Sequence, residues 1–362
     1  MFFNTSAVTW KYDGPSCGPD VQAFHKSLPG YNRTPLVPLP VLAKELGVKH
    51  ILVKDESNRF GLPAFKILGA SWAIAKALLA RYKLPYMCSL DELSTLARHD
   101  GVDGIKLVAC TEGNWGRAVA RMAGYLQISC TIFVPWSVDE ATRNRIAGEG
   151  AEVKVVNGNY DESLEVARLE ANRDGRLLVM DFSWEGYERI PQWVVDGYST
   201  MLTETDRQSK GFGRITHTIA SVGVGSWAQA VSAHYKSKDH STYVIAVEPS
   251  AAASLQASME AGRIVSIPTS HTIMDGMNCG TVSLTAWRIL KNGIDAAIEV
   301  SDMEAHNDLQ YLHSQGVKNG PCGAATLSAL RKLVKEGRLH LDQNSVVVLF
   351  STEGAREYII PR

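Results

Sequence analysis

The sequence predicts an α/β protein whose parallel sheets are covered by helices on both faces. Short runs of β-branched and apolar residues alternate with helical patterns along most of the chain. Apolar runs that are each followed by a helix are typical of buried parallel strands. The seven predicted strands are residues 50–56, 105–111, 130–135, 152–157, 215–221, 243–249 and 345–352.

Composition favours a globular protein with a small-molecule partner. The chain has 362 residues, of which 45% are hydrophobic, enough to bury one or two cores and to form two domains. Its 37 Lys and Arg residues nearly balance its 38 Asp and Glu residues. No overall positive field is therefore expected to attract nucleic acid or an anionic membrane.

The N-terminal segment and the cysteines favour a cytoplasmic protein. The segment MFFNTSAVTWKYDG lacks the basic flank and long apolar run of a signal peptide, and no stretch approaches the roughly 18 to 20 apolar residues of a membrane helix. The cysteines form no CxxC pair and no cluster at metal-ligand spacing, so we expect reduced thiols and no metal. Alternatively, they are simply small buried hydrophobic residues. They are Cys17, Cys88, Cys110, Cys130, Cys279 and Cys322.

Two polar stretches indicate seams in the chain. Residues 82–104 contain a predicted short helix at 90–97 and are typical of surface decoration, and residues 203–213 precede a predicted strand. No internal repeat or low-complexity tract is present, which excludes solenoid and disordered architectures.

Every polar motif of interest follows one of the predicted strands, and in parallel sheets ligands gather at the carboxyl ends of strands. The first motif is Phe65-Lys66, which opens a helix after a loop that contains Gly61 and Pro63. A lysine in the first turn opposes the helix dipole. A Schiff base with an aldehyde cofactor would replace its charge by an imine, and the positive field would lower the pKa of the free amine. Alternatively, Lys66 is an ordinary surface residue.

The second motif runs from Cys110 to Arg117, between a predicted strand and a predicted helix at 118–126. Its small residues and hydroxyl would leave backbone N–H groups free to bind a carboxylate or phosphate, such as that of a substrate. The alternative is a capped helix with Thr111 as its N-cap residue.

The third motif, Ser221 to Ser226, contains two glycines after a strand and before a helix that starts near Trp227. This arrangement is typical of a phosphate-binding loop. It is also compatible with a dinucleotide fold, although the third glycine of that fingerprint is missing. A nicotinamide-dependent dehydrogenase would need an acidic residue about 20 positions later to bind ribose, and Glu248 lies near that distance.

The fourth motif closes the last predicted strand, where Ser351 and Thr352 precede Glu353 and Gly354. Hydroxyl groups in this position could donate a hydrogen bond to a heteroaromatic nitrogen. As plain structure they would form a turn with a helix cap.

Together, the four motifs resemble those of the fold type II pyridoxal-phosphate enzymes, which include tryptophan synthase β-subunits and serine/threonine dehydratases. Within that group they are most similar to the diaminopropionate ammonia-lyases. The resemblance runs from residues 31–36 to residues 351–354. It implies two parallel α/β domains with the active site in the cleft between them. Residues 1–75 and 200–362 would form the large domain that binds pyridoxal 5'-phosphate, and residues 76–199 the small domain.

The resemblance also implies roles for individual residues. Lys66 would carry the cofactor as a Schiff base and then remove the α-proton of the substrate. Further implied cofactor contacts are Phe65 beside the lysine, Asn114 at the phenolic oxygen, Gly223, Val224, Gly225 and Ser226 at the phosphate, and Ser351 or Thr352 at the pyridine nitrogen. Implied substrate contacts are Thr111, Gly113, Trp115 and Asp275.

The segment 181–187, followed by Ile190 and Pro191, is similar to a signature of the lyases. It implies that Asp181 is a substrate or acid/base residue, whereas the alternative is a cap before a Trp-rich helix. Glu112 occupies the place of an aspartate that is implicated in proton removal from the D-substrate, so it is a catalytic candidate with altered stereospecificity. Asp275 replaces a small residue. It would either favour a cationic substrate or be a neutral surface change.

The implied reaction is α,β-elimination on a small β-substituted amino acid, in particular conversion of 2,3-diaminopropionate to pyruvate and ammonia. Serine or threonine dehydration and β-replacement are alternatives with the same cofactor chemistry. A nicotinamide-dependent dehydrogenase and a non-catalytic protein that binds pyridoxal phosphate are further alternatives. Similar enzymes imply a homodimer.

Overall fold

The computed structural model describes residues 1–101, 104–237 and 242–362. Strands and helices alternate throughout these ranges. The strands are β1 (Phe2–Phe3), β2 (Leu36–Pro38), β3 (His50–Asp55), β4 (Lys106–Cys110), β5 (Ser129–Pro135), β6 (Glu152–Val156), β7 (Arg176–Leu178), β8 (His217–Ser221), β9 (Tyr243–Pro249), β10 (Ala296–Val300) and β11 (Val346–Ser351). The helices are α1 (Asp20–Ser27), α2 (Pro40–Glu45), α3 (Lys66–Arg81), α4 (Leu90–Arg98), α5 (Asn114–Leu126), α6 (Glu140–Ala147), α7 (Tyr160–Ala171), α8 (Arg189–Gly197), α9 (Ser199–Ser209), α10 (Ser226–Tyr235), α11 (Ser254–Ala261), α12 (Leu284–Gly293), α13 (Asp302–Ser314) and α14 (Pro321–Glu336).

Among the described residues, the strands form two sheets. The larger has the order β1-β10-β9-β8-β11-β3-β2, and the smaller has the order β6-β5-β4-β7. Every pairing in the smaller sheet is parallel. In the larger sheet only the edge strands β1 and β2 run antiparallel. All seven predicted strands are confirmed, as is the α/β class with parallel sheets.

The larger sheet is covered on both faces. Along β11, Val348 and Phe350 point into one hydrophobic cluster, which also contains α3, α5 and the smaller sheet. Val347 and Leu349 point into a second cluster, which contains α14. This alternation explains why the strand is apolar at every position, because a strand that is buried on both faces has no polar side.

Four strands were not predicted, for local reasons. The strands β1, β2 and β7 have only two or three residues each, which is too short to show a periodicity. The strand β10, with the sequence AAIEV, starts with two alanines and includes Glu299. Neither residue type is favoured in strands.

The predicted helices are present, although α5 begins at Asn114, four residues before its predicted start. Those at α3, α4, α5 and α10 are confirmed, with α4 starting at a capping box formed by Ser89 and Glu92. In the polar stretch 203–213, the predicted seam, the helix α9 continues to Ser209. Its residue Glu204 is polar and yet buried, so the polarity of the stretch did not reveal the helix. Val102 and Asp103, within the predicted stretch 82–104, lie outside the described residues.

A buried ion cluster fixes the loop between β3 and α3. Arg59 is fully buried, and its guanidinium donates to Glu56 at 2.7 Å and to Glu204 at 2.7 Å. Lys54, at the end of β3, donates to Glu204 at 3.0 Å and to the carbonyl of Thr34 at 2.8 Å. Each buried charge therefore has partners, as burial requires. This cluster holds the loop that leads to Lys66.

None of the six cysteines, all of which lie in the described ranges, forms a disulfide. Cys88, Cys110, Cys130 and Cys322 are buried, so the alternative of small hydrophobic core residues also applies to these four. No helix in the described ranges is both long and apolar enough to cross a membrane.

Candidate active site

Lys66 and Asp181 meet at the cleft between the two sheets. Lys66 starts α3, and its Nζ lies 2.5 Å from Oδ2 of Asp181, which follows β7. The Lys66 side chain is 22% exposed. Its Nζ also lies 5.6 Å from the centre of the Phe65 ring and 5.9 Å from that of Trp115. The amine is therefore enclosed by a carboxylate and aromatic surfaces rather than by bulk solvent.

The pKa of Lys66 differs from the expectation. Burial lowers this pKa, but the Asp181 carboxylate, together with Tyr198 and Cys279, raises it, so the net pKa is raised. The predicted decrease was wrong, because it took account of the helix dipole and omitted a carboxylate 115 positions away in the sequence. The free lysine is thus held as an ammonium ion.

The segment around Asp181 is fixed on both sides. The Ser183 hydroxyl lies 2.6 Å from that of Ser283, and Tyr187 donates to the carbonyl of Leu178 at 2.8 Å. The N-cap residue of α8 is Glu188. The alternative of Asp181 as a helix cap is therefore wrong, and the segment forms a braced turn that presents its carboxylate to Lys66.

The loop before α5 is organised by Thr111. Its hydroxyl accepts hydrogen bonds from the backbone N–H groups of Gly113 at 3.0 Å and Gly116 at 3.2 Å. The N-cap residue is Gly113, not Thr111. A Cβ atom on Gly113 would meet nothing within 4 Å, so the loop faces open space. Asn114 is the first residue of α5, and the indole of Trp115 donates to the carbonyl of Val179 at 3.0 Å.

The glycine loop lies at the N-terminus of α10. Gly225 has φ +94°, which favours glycine, and no side chain caps the helix. A Cβ atom on Gly223 would lie 2.9 Å from the carbonyl oxygen of Gly276. The Val224 carbonyl accepts from the Ser283 N–H at 2.9 Å. Backbone N–H groups with Ser226 at a free helix end are an arrangement that typically binds an anion.

The dehydrogenase alternative does not fit this geometry. Glu248, the residue it requires at a ribose, is 1% exposed. Its carboxylate accepts hydrogen bonds from the N–H groups of Leu255 at 2.6 Å and Gln256 at 2.9 Å. Burial raises the pKa of Glu248 to about 8 despite these bonds. The side chain is committed to the protein and has no access to a nucleotide.

The two hydroxyls after β11 have different surroundings. The Ser351 Oγ is buried and has no hydrogen-bond partner among the residues that the structure describes. The Thr352 Oγ1 lies 3.2 Å from the Ser221 Oγ. Ser351 therefore has the donor that is free for a ligand. Phe65 has no such freedom, because its ring packs against Tyr198 at 4.8 Å and Trp227 at 5.3 Å.

Carboxylates lie at the mouth of the cleft. Partial burial of the Glu112 carboxyl, with Asp275 and Asp161 nearby, raises the pKa of Glu112. Asp275 itself is 61% exposed, and its Oδ2 lies 2.9 Å from Nη1 of Arg356. Arg356 was not predicted as a site residue. It lies in a C-terminal stretch with no periodicity or motif, so no sequence signal marks it.

The family model described as "Pyridoxal-phosphate dependent enzyme" matches residues 28–352. This chain belongs to that family. Diaminopropionate ammonia-lyase of Escherichia coli (strain K12) is 34% identical in an alignment of 349 positions that covers 91% of this chain and 86% of the relative. The Salmonella typhimurium (strain LT2) enzyme of the same name is 33% identical in an alignment of 377 positions that covers 97% of this chain and 92% of that enzyme.

Solved structures agree with this assignment. The E. coli diaminopropionate ammonia-lyase in complex with D-serine matches with a TM-score of 0.87 at 30% identity, over 98% of this chain and 93% of that chain. The same enzyme with an aminoacrylate-PLP azomethine reaction intermediate gives 0.84 at 30% identity, over 98% and 93%. The predictions of fold type II, of pyridoxal 5'-phosphate as cofactor and of a pyridoxal-phosphate-dependent lyase are confirmed.

The residues present fit this cofactor. An enclosed lysine amine, an uncapped helix end with a glycine loop and an unpartnered buried hydroxyl match its aldehyde, phosphate and ring nitrogen. Lys66 would hold the aldehyde, the loop from Gly223 to Ser226 the phosphate, and Ser351 the nitrogen.

Proposed function

We propose that this protein is a carbon–nitrogen lyase that eliminates ammonia from 2,3-diaminopropionate and yields pyruvate. The contact of 2.5 Å between Lys66 Nζ and Asp181 Oδ2 is the observation that carries this proposal. It joins the cofactor lysine to an acidic residue within the segment that resembles the lyase signature. The named relatives and structures support the substrate.

Lys66 has two roles in the proposed mechanism. It would hold the cofactor aldehyde, and its amine, when released in the uncharged form, would remove the α-proton of the substrate. The bound cofactor supplies the electron sink for this step. Asp181 stabilises the ammonium that forms on Lys66, since its carboxylate lies within hydrogen-bond distance. The α-proton would then be held on Lys66 Nζ.

The loop before α5 orients the substrate. Thr111 fixes the loop through its bonds to Gly113 and Gly116, and the first turn of α5 presents N–H groups to the substrate carboxylate. Asn114 would contact the phenolic oxygen of the cofactor. The ring of Trp115, which is held by its bond to Val179, covers Lys66 and limits water at the amine.

Glu112 is proposed to donate the proton to the departing amine. Its raised pKa, which is due to partial burial and to Asp275 and Asp161, keeps more of the carboxyl protonated near neutral pH than is ordinary for glutamate. Asp275 supports this role because its charge is one of the causes of the raised pKa of Glu112. The negative surroundings also favour the protonated form of the β-amino group, which can leave as neutral ammonia once Glu112 has supplied that proton.

The test is release of keto acid from purified full-length protein. We expect release from a diaminopropionate enantiomer to exceed that from serine, threonine and β-substituted alanines. Lys66→Ala should abolish turnover and should also abolish the permanent link to the cofactor that borohydride reduction of the imine produces. Lys76→Ala, on the same helix, should retain both. Attachment that survives in Lys66→Ala would contradict the assignment of this lysine. Faster turnover of serine or threonine would favour the dehydratase alternative.

The division into domains at residues 75/76 and 199/200, the homodimer and the cytoplasmic location are further proposals. The order of the strands along the chain supports the division into domains, since all strands of the smaller sheet lie within residues 106–178. Sedimentation velocity would test the second, with a monomer as the contradicting result.

A further inference from the structure

The N-terminus of α12 is capped by a residue from a distant part of the chain. Its own N-cap residue, Ser283, makes no capping hydrogen bond through its side chain. Instead, the Ser183 hydroxyl accepts a hydrogen bond from the backbone N–H of Thr285 at 2.8 Å, across 102 positions of the sequence. A side-chain cap usually comes from the N-cap residue itself, so a cap from another segment joins two parts of the fold.

Ser183 is held to this helix end by further hydrogen bonds. Its N–H donates to the Ser283 hydroxyl at 2.9 Å, and its carbonyl accepts from the N–H of Leu284 at 3.2 Å. The hydroxyls of Ser183 and Thr285 lie 3.0 Å apart. Ser183 and Ser283 are each 1% exposed, and burial strengthens such bonds. Every polar group of Ser183 is therefore bonded to the start of α12.

The same end of α12 supports the glycine loop. The Ser283 N–H donates to the carbonyl of Val224 at 2.9 Å. A Cβ atom on Gly225 would lie 3.0 Å from Cβ of Ala286, so this helix packs directly against the glycine. The turn that contains Asp181 and the loop proposed to hold the phosphate thus rest on one helix.

Ser183 lies two positions after Asp181, whose Oδ2 is 2.5 Å from Lys66 Nζ. We infer that Ser183 is a positioning residue, which fixes the Asp181 carboxylate beside Lys66 by anchoring their turn, residues 181–187, to α12. The inference rests on the proposed roles of Lys66 and Asp181 in the reaction. Because each polar group of Ser183 is already bonded within the protein, this residue acts through Asp181 and not by contact with the substrate.

Cofactor uptake and turnover should change in opposite directions when this anchor is lost. Burial lowers the pKa of Lys66, and Asp181, Tyr198 and Cys279 raise it. Of these three, only Asp181 belongs to the turn. A displaced Asp181 carboxylate therefore leaves more of the Lys66 amine uncharged, which speeds its reaction with an aldehyde, while the lost orientation slows turnover. A general loss of structure would slow both.

The test is Ser183→Ala in the full-length protein. Cofactor-free protein should take up pyridoxal 5'-phosphate up to about 10-fold faster at a given pH, since a decrease of about one pKa unit raises the amount of free amine tenfold. Turnover of diaminopropionate by the loaded protein should fall by about 10- to 100-fold. Ser283→Ala removes the partner hydroxyl at the start of α12 and should change both rates in the same directions.

A double-mutant cycle with Asp181→Asn separates action through Asp181 from an independent effect. In the Asp181→Asn background, Ser183→Ala should change neither rate further. Ser94→Ala is the matched control, because Ser94 is also buried and its hydroxyl donates to the carbonyl of Leu126, at the far end of α5. This variant should leave both rates unchanged.

Three results would overturn the inference. They are slower or unchanged uptake in Ser183→Ala, unchanged turnover in that variant, and effects of Ser183→Ala and Asp181→Asn that add in the cycle. Failure of the proposed function is distinguishable, because the unaltered protein would then release no keto acid from diaminopropionate, whereas the faster uptake in Ser183→Ala would persist.

Discussion

Lys66 and Asp181 face each other from different sheets, with 2.5 Å between Nζ and Oδ2. Lys66 follows β3 of the larger sheet by way of the loop held by Arg59, and Asp181 follows β7 of the smaller sheet. The proposed base, Lys66, and the carboxylate that raises its pKa, Asp181, are therefore positioned by different sheets.

Asp181→Asn should shift the pH dependence of cofactor attachment. Removing the carboxylate that raises the pKa of Lys66 lowers that pKa, so more free amine is present at any given pH. The rate at which cofactor-free protein takes up pyridoxal phosphate should therefore reach its plateau at lower pH, while turnover falls. Rapid-mixing absorbance measurements check this. Asp174→Asn on the surface is the control. A plateau at the same pH as in the unaltered protein, or at a higher pH, would contradict the expectation.

Gly223→Ala should weaken cofactor binding by about tenfold, within the range expected for overpacking. The new Cβ atom would lie 2.9 Å from the Gly276 carbonyl oxygen and 3.2 Å from Cys279 Sγ. The loop must move to relieve these contacts, which displaces its N–H groups. Fluorescence titration with pyridoxal phosphate measures the effect. Gly211→Ala, where a Cβ atom meets nothing within 4 Å, should bind normally, and equal affinities would show that the loop tolerates the methyl group.

Glu204→Ala should lower the free energy of unfolding by about 3–5 kcal/mol, because it removes the carboxylate that the buried Arg59 and Lys54 share and leaves the Lys54 ammonium with neutral hydrogen-bond partners. Urea denaturation measures this loss. Glu165→Ala is the control, since Glu165 is 58% exposed and its partner Arg168 is 47% exposed, and the expected loss is below about 1 kcal/mol. Similar losses for both variants would contradict the importance of the buried cluster.

The contribution of Glu204 should also depend on pH. Burial raises the pKa of Glu204, but Arg59 and Lys54 lower it by more, so the net pKa is lowered. The stabilisation is then present above the pKa of the unfolded chain and is lost as the pH falls through the folded-state pKa. The difference in stability between Glu204→Ala and the unaltered protein should therefore narrow in acid.

Asp275→Ala should move the alkaline limb of the activity profile to lower pH. Asp275 is one of the groups that raise the pKa of Glu112, so removing it lowers that pKa. If Glu112 donates a proton, activity then declines at a lower pH than in the unaltered protein. Steady-state assays across pH check this, with Asp174→Ala as the control. An alkaline limb at the same pH in Asp275→Ala and the unaltered protein would contradict an effect of Asp275 on proton donation by Glu112.

Local motifs in the sequence predicted the parts of the site that belong to single loops. The glycines at 223 and 225, the lysine at 66 and the hydroxyls at 351 and 352 each lie at or after the end of a predicted strand that is rich in apolar and β-branched residues. Such strands are recognisable without knowledge of their neighbours. The family resemblance then assigned roles that composition and spacing left open.

Relationships between distant segments were not predictable in the same way. The raised pKa of Lys66 depends on a contact across 115 positions, and the partner of Asp275 is Arg356 near the C-terminus. Tyr198 follows α8 directly and is buried. In each case the decisive quantity is a distance in the folded chain, which no local pattern encodes.

The order of the strands also bears on how this protein could diverge. The loops proposed to hold the aldehyde, the ring nitrogen and the phosphate follow β3, β11 and β8, which are consecutive neighbours in the larger sheet, while Thr111 and Asp181 follow the adjacent strands β4 and β7 of the smaller one. Inherited changes in the second pair of loops could then alter which amino acid is accepted while those three contacts to the vitamin-derived group are kept. New specificities can thus arise by mutation on one side of the molecule.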